Sequence, residues 1–276
     1  MERKLIDLND VLGPKLSHKV PSLGKKLLGK VLHLKEINSL IATTDQPSGL
    51  GFFNRALEFL DISYTLQGAE NIDPSRKLLF VGNHPMGGPE GLIMGSVLQR
   101  FFGKKFRVPV NSLLGNFHPI KEFFIPVSVF GHQSKEAATK LNEAFASDNQ
   151  VMMYPAGACA KLVDGRVREM PWKKTFVTQA RRYHRDVVPM HMSSHNSKRY
   201  FFLSRLSKWL HLKFNLGMIF LVDELFKKRH SHLTISFGKP IPWDTFDQSK
   251  SDQEWVELVR TQTVQLQRAS NCEPNM

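Results

Sequence analysis

The chain is poor in cysteine, carries no acidic excess and has no long apolar run, and each shortage removes a class of protein. Only Cys159 and Cys272 occur in 276 residues, so no disulfide framework holds the fold and both are expected as reduced thiols. No apolar stretch approaches the roughly 20 residues needed to cross a bilayer. The best candidate, residues 214–221, is short and runs into Asp223 and Glu224. Acidic residues stand near the start, where a signal peptide would have its apolar core, and no cleavage site follows. The chain is therefore expected in the cytoplasm. Internal repeats, a low-complexity basic tail, zinc-finger spacing and an RNA-binding aromatic motif are all missing, which argues against nucleic acid as a partner.

What is present is positive charge on an otherwise ordinary globular composition. Hydrophobic residues make up 41% and charged residues 23%, yet 38 Lys and Arg against 25 Asp and Glu leave a net charge of +13. Such a surface suits an anionic partner, whether a membrane face or an acidic or phosphate-bearing molecule; a merely solubilising surface is the plain alternative. Residues 1–59 read as a basic helical segment with a Gly/Pro joint at 47–51, and residues 60–276 as the main domain. In Leu23–Lys35 one helix would gather Leu27, Leu28, Val31 and Leu34 on one side and lysines on the other. A basic amphipathic helix of that kind lies in the headgroup layer of a membrane; an ordinary helix packed on the domain has the same pattern.

The densest signal lies between Val81 and Gly91. An apolar strand, Lys77 to Val81, runs into Gly82-Asn83-His84-Pro85-Met86-Gly87-Gly88-Pro89-Glu90-Gly91. A histidine oriented by a carboxylate takes the proton of an alcohol as the alcohol attacks an acyl carbonyl, because the carboxylate fixes the ring tautomer and stabilises the imidazolium. A polar turn with an incidental histidine is the bland reading. Further strands bear on it: 64–72 with a bend, Val151-Met152-Met153 into Tyr154-Pro155-Ala156-Gly157, Asp186 to Met192 with an internal proline, and Leu233 to Ile241. Helices at 91–102 and 134–145 and strands near 106–110 and 124–129 alternate with these, which argues for a mostly parallel sheet covered by helices: an α/β fold with an N-terminal helical extension.

Taken in order, these blocks resemble the lysophospholipid (glycerolipid) acyltransferase family over residues 64 to 246. The Asn-His-Pro-x-Gly-Gly form is most similar to its hemolysin-like branch and to acyltransferases of lyso-amino-acid lipids. The resemblance implies a peripheral enzyme on the inner face of the cytoplasmic membrane. It would move a fatty acyl group from acyl-ACP or acyl-CoA to a lysolipid hydroxyl, with neither metal nor cofactor. His84 would be the general base and Glu90 its partner. Asn83, Gly87 and Gly88 would shape the turn and offer donors to the oxyanion, while Tyr154, Pro155 and Gly157 would line the acceptor site and Lys121 would meet an anionic head group. Pro89 occupies the usual aspartate position, leaving Glu90 one place later with a longer arm and the same charge. Two further departures weigh against lysophosphatidic acid as acceptor: Ala156 replaces a glutamate, and Asn111 and Lys121 stand where the family often supplies a phosphate-binding arginine.

Other constellations point elsewhere. Cys159 paired with His84 would make a thiol hydrolase or transferase, and a degenerate site would leave a non-catalytic membrane-binding protein. His184, His191 and His195 have metal-ligand spacing only if helical, and Pro189 argues for a strand there. Gly87, Gly88 and Gly91 lack the Lys-Ser/Thr of a phosphate-binding loop. A helix expected from Trp172 to Arg182, with Pro171 in its first turn, presents a basic face that would suit an anionic donor.

Overall fold

The structure, a computed structural model, describes residues 5–12, 18, 20–44, 51–111, 117–128, 134–209 and 220–270. Helices α1 (Leu8–Leu12), α2 (Ser22–Val31), α3 (Leu34–Thr43) and α4 (Phe52–Leu60) lead into β1 (Ser63–Gln67). Next come β2 (Leu78–Gly82), α5 (Pro89–Phe102), β3 (Phe106–Asn111), β4 (Phe124–Val127), α6 (Lys135–Ala146) and β5 (Gln150–Met153). A hairpin of β6 (Lys161–Val163) and β7 (Arg166–Arg168) interrupts the alternation. It is followed by α7 (Thr175–Tyr183), β8 (Asp186–Met192), α8 (Lys198–Trp209), α9 (Leu221–Phe226), β9 (His232–Phe237) and α10 (Asp252–Ser270).

Seven strands form one sheet in the order β1-β9-β8-β2-β5-β3-β4. Neighbours run parallel except β8 against β9, so the expected mostly parallel sheet is the one present. Strand alternation divides the core. On β2, Leu78 and Phe80 join the cluster containing Phe53, Leu57, Ile93 and Val97, while Leu79 and Val81 join Phe145, Phe176, Val177 and Val256. Helices α4 and α5 therefore cover one face and α6, α7 and α10 the other. A strand buried on both sides has no polar face to show, which is why β2 reads as an unbroken apolar run.

Pro189 sits inside central β8 because its neighbour bows away there. Val187 donates to Ile241 and Gly238 donates to Pro189 (2.9 and 2.8 Å), so the span between carries no acceptor that the missing N–H would have met. Arg185, fully buried just before β8, donates to the carbonyls of Ala144, Phe145, Ser147 and Asn149. It thereby caps the C-terminus of α6, where carbonyls lack helical partners. Burial pulls its pKa down to about 10, leaving it charged at neutral pH.

Two expectations need correction. The helix drawn through Leu34 breaks at His33, whose backbone is left-handed (φ 49°), so Leu27 and Leu34 lie on different helices. None of the residues of α2 is buried; Leu23 and Leu27 are 79% and 63% exposed. The helix expected from Trp172 starts at Thr175 instead, because Trp172 drops into the core (2% exposed) and its indole binds Glu169. Residues 47–50, Val129, most of 214–221 and Cys272 lie outside the described residues.

Candidate active site

Strands β8, β2 and β5 are adjacent and parallel, so the segments leaving their carboxyl ends converge, the usual position of a site in such sheets. The turn after β2 carries His84, the one after β5 carries Tyr154, and the one after β8 carries Ser193 to Asn196. Gly82 permits the close approach of β2 to β8: a Cβ there would lie 2.6 Å from the Met190 carbonyl oxygen. Asn83 then ties the two strand ends together. Its Oδ1 accepts from the Met192 N–H (2.9 Å) and its Nδ2 donates to the Met192 carbonyl (3.0 Å).

Pro89 occupies the first turn of α5, where a missing N–H costs nothing, and Glu90 follows in that same turn. The longer glutamate arm reaches back over the loop. Its Oε1 accepts from the N–H groups of Met86 (2.8 Å) and Gly87 (2.6 Å) and lies 3.1 Å from His84 Nδ1. Glu90 is 1% exposed. Burial pushes its pKa up, but the hydrogen bond and charge of His84 and the Gly87 amide outweigh this and hold the carboxyl below its ordinary range. An ionised carboxylate only accepts, so Nδ1 carries a proton, and in the neutral ring Nε2 keeps the lone pair. Burial pulls the His84 pKa down, yet neighbouring Cys159 and then Glu90 raise it well above the ordinary histidine value.

The imidazole stacks on Tyr154 (centroids 4.3 Å, planes 10° apart), and its backbone is held on both sides. The His84 N–H donates to Glu169 Oε1 (2.8 Å), whose other oxygen accepts the Trp172 indole N–H (2.8 Å). The His84 carbonyl accepts from Ala160 N–H (3.0 Å). Gly87 has φ 100°, and a Cβ there would meet Cys159 Sγ at 2.7 Å and Leu221 at 3.2 Å. Gly88 faces Leu225 similarly, so α9 roofs the turn. Glu224 fastens that roof by accepting from Ser197 N–H (2.6 Å) and O–H (2.7 Å).

His84, Glu90, Asn83, Gly87, Gly88 and Tyr154 are thus brought together. The Gly87 N–H is already engaged by Glu90, and Asn83 spends its Oδ1 and one Nδ2 hydrogen on Met192, so both residues build the turn. Pro155 is buried and accepts from Lys173 N–H (3.1 Å), and exposed Gly157 closes the turn at φ 67°. Lys121 is exposed in the 3₁₀ segment His118–Phe123; no hydrogen bond, ion pair or ring contact among the described residues joins it to His84. Sequence reasoning missed Glu169, whose signal was Trp172 three residues on, a buried indole needing an acceptor. The three histidines of the metal reading are apart: His184 stacks on Trp243, His195 faces the Asn196 carbonyl, and His191 is buried in β8 with its pKa lowered by burial to about 4.

A buried central strand delivering a carboxylate-oriented histidine onto a glycine turn, at the carboxyl end of a mostly parallel sheet, defines an acyltransferase. Residues 9–272 match the model of the acyltransferase family, and the chain belongs to that family. It is 37% identical over 265 residues to lyso-glycine lipid O-acyltransferase of Phocaeicola vulgatus, covering 95% of each chain. To the protein of the same name from Bacteroides thetaiotaomicron it is 38% identical over 259 residues, 93% of this chain and 95% of that one. The fold is similar to the crystal structure of the 1-acyl-sn-glycerophosphate (LPA) acyltransferase PlsC from Thermotoga maritima. The TM-score there is 0.51 at 14% identity, covering 91% of this chain and 83% of that one.

Proposed function

We propose that this acyltransferase moves an acyl group from a thioester donor, acyl-ACP or acyl-CoA, to the hydroxyl of a lyso-amino-acid lipid at an anionic membrane surface. The observation that carries the reading is Glu90 Oε1, which holds two backbone amides and His84 Nδ1 at once and leaves Nε2 as the base. Nε2 takes the hydroxyl proton as the acceptor oxygen attacks the thioester carbonyl. The tetrahedral intermediate collapses, the carbon–sulfur bond breaks, and the imidazolium returns its proton to the leaving thiolate. The lyso-glycine lipid named in both relatives, and the alanine at 156 where a glutamate is usual, favour an amino-acid lipid over lysophosphatidic acid. No helix among the described residues is long and apolar enough to cross a membrane, and exposed Leu23 and Leu27 beside Lys26 and Lys30 support a surface contact. Purified protein given lyso-glycine lipid, lysophosphatidic acid and an acyl thioester tests this; preference for the phosphate acceptor, or no transfer, refutes it.

A second reading has an observation behind it. Cys159 lies against His84, so it could carry the acyl group between donor and acceptor. Cys159→Ala separates the two, since a covalent route loses nearly all turnover and direct transfer keeps it.

A further inference from the structure

The cations expected to meet an anionic donor lay on the helix after Trp172. In the structure Arg181 and Lys174 both hold Asp252 (3.0 and 3.3 Å) and Arg182 lies over the Tyr183 ring, while Lys173 stands beside Gly157. The β6–β7 hairpin differs. Its register sets Lys161 opposite Arg168 and Val163 opposite Arg166, and alternation puts these four side chains on one face. All four are exposed. Like charges directly opposed on paired strands repel, and no carboxylate among the described residues pairs with Lys161, Arg166 or Arg168. A bound anion relieves that repulsion.

The hairpin is also fastened to the base. Ala160, just before β6, donates to the His84 carbonyl, and Glu169, just after β7, accepts from the His84 N–H. At the far end Asp164 and Gly165 both have positive φ (49° and 73°), the tight turn that suits two twisted strands. Lys161 and Arg168 stand at the base of the hairpin, one residue from Ala160 and Glu169, and Arg166 lies three residues from Glu169, about 10 Å outward at ~3.3 Å per residue.

We propose that this hairpin anchors the phosphate of the acyl thioester donor, with Lys161, Arg166 and Arg168 as its cations; the inference rests on the thioester-donor reading above. A pantetheine thioester has its phosphate at one end of the arm and the reacting carbonyl at the other. Gripped at the hairpin, the arm runs inward to Nε2 of His84. The two arginines supply planar forks that match phosphate oxygens and Lys161 a point charge. A bilayer fits less well, because the cationic face carries only Val163 as an apolar side chain, and the Leu162–Val167 pair lies on the opposite face.

The test uses the purified full chain and a lysolipid acceptor with three donors: acyl-CoA, acyl-ACP and an acyl-N-acetylcysteamine thioester, which has no phosphate. In the variant Lys161→Gln, Arg166→Gln, Arg168→Gln, kcat/KM for a phosphate-bearing donor relative to the phosphate-free one falls by at least about tenfold, mainly through KM, as lost charge-assisted hydrogen bonds require. Which of the two phosphate donors responds identifies the source. An unchanged ratio for both overturns the proposal, and so does a variant that loses only vesicle binding. Wild-type protein that uses none of the three donors would instead remove the thioester-donor reading itself. Relief of the Lys161–Arg168 repulsion keeps the melting temperature of the variant at or above that of wild type, so misfolding does not explain the change.

Discussion

His84 is gripped by four separate parts of the chain: Glu169 and Ala160 hold its backbone, Glu90 its Nδ1 and Tyr154 its ring face. Removing the imidazole should therefore leave the fold intact, and His84→Ala should lower turnover at least ~100-fold, the scale of a lost general base, with an unchanged circular dichroism spectrum. The base works only when unprotonated, and its proton affinity is raised well above the ordinary 6.5. The acid limb of kcat/KM should accordingly lie above pH 6.5. Glu90→Gln removes one of the charges that raise it, so the limb should move to lower pH while activity drops on the order of 10²-fold or more. A limb that stays in place in that variant would separate Glu90 from the titration. Cys159 changes how thiol reagents are to be interpreted. An adduct on Sγ would crowd Gly87 and His84, so alkylation should inactivate wild type even when the thiol has no chemical role. Cys159→Ala should both work and resist the reagent, and the pair of assays checks this.

At the scale of elements, the contact between α4 and α5 is set by one absent methyl group. A Cβ on Gly95 would lie 2.3 Å from the Phe53 ring, which is itself held against Phe106 and Phe123. Alanine gains about 1 kcal/mol of helix propensity over glycine. Overpacking a filled core costs about 1–3 kcal/mol, and a rigid ring at this distance puts the cost near the upper end. Gly95→Ala should thus lower the melting temperature by a few degrees in calorimetry; a rise would mean that the two helices slide apart freely. Elements of this kind were largely legible in the sequence. The run at β2 is apolar on both faces, and α5 was expected from Gly91, two residues inside its start at Pro89. The β6–β7 hairpin was missed because its strands are three residues long and exposed, so they lack apolar alternation; Asp164-Gly165 was the signal available. The late start of α7 was illegible because Trp172 and Pro171 mimic a helix opening, and only the position of Glu169 reveals that the indole turns inward.

At the scale of the molecule, a net charge of +13 meets a helix, α2, that buries none of its own residues. Replacing Lys25, Lys26 and Lys30 with glutamate should weaken flotation with anionic vesicles steeply at low salt, since each lysine near such a surface contributes about 1 kcal/mol. Transfer to a detergent-dispersed acceptor should change much less, and equal flotation of both proteins would place the membrane contact elsewhere. The chain order of the core strands has another consequence, felt while the protein is being made. The turn encoded at 83–90 is assembled from late material: Asn83 bonds Met192, Asn196 bonds the Met86 carbonyl, and β2 pairs with β8 along its whole length. Arg185 likewise closes the end of α6 only after some 40 further residues have followed it. A nascent chain on the ribosome thus carries its histidine and glutamate for more than a hundred residues of synthesis before the ties of their turn to Met192 and Asn196 can form. The enzyme should therefore emerge inactive and switch on as β8 docks, and a fragment ending before residue 192, which has every residue of the motif, should show no acyl transfer.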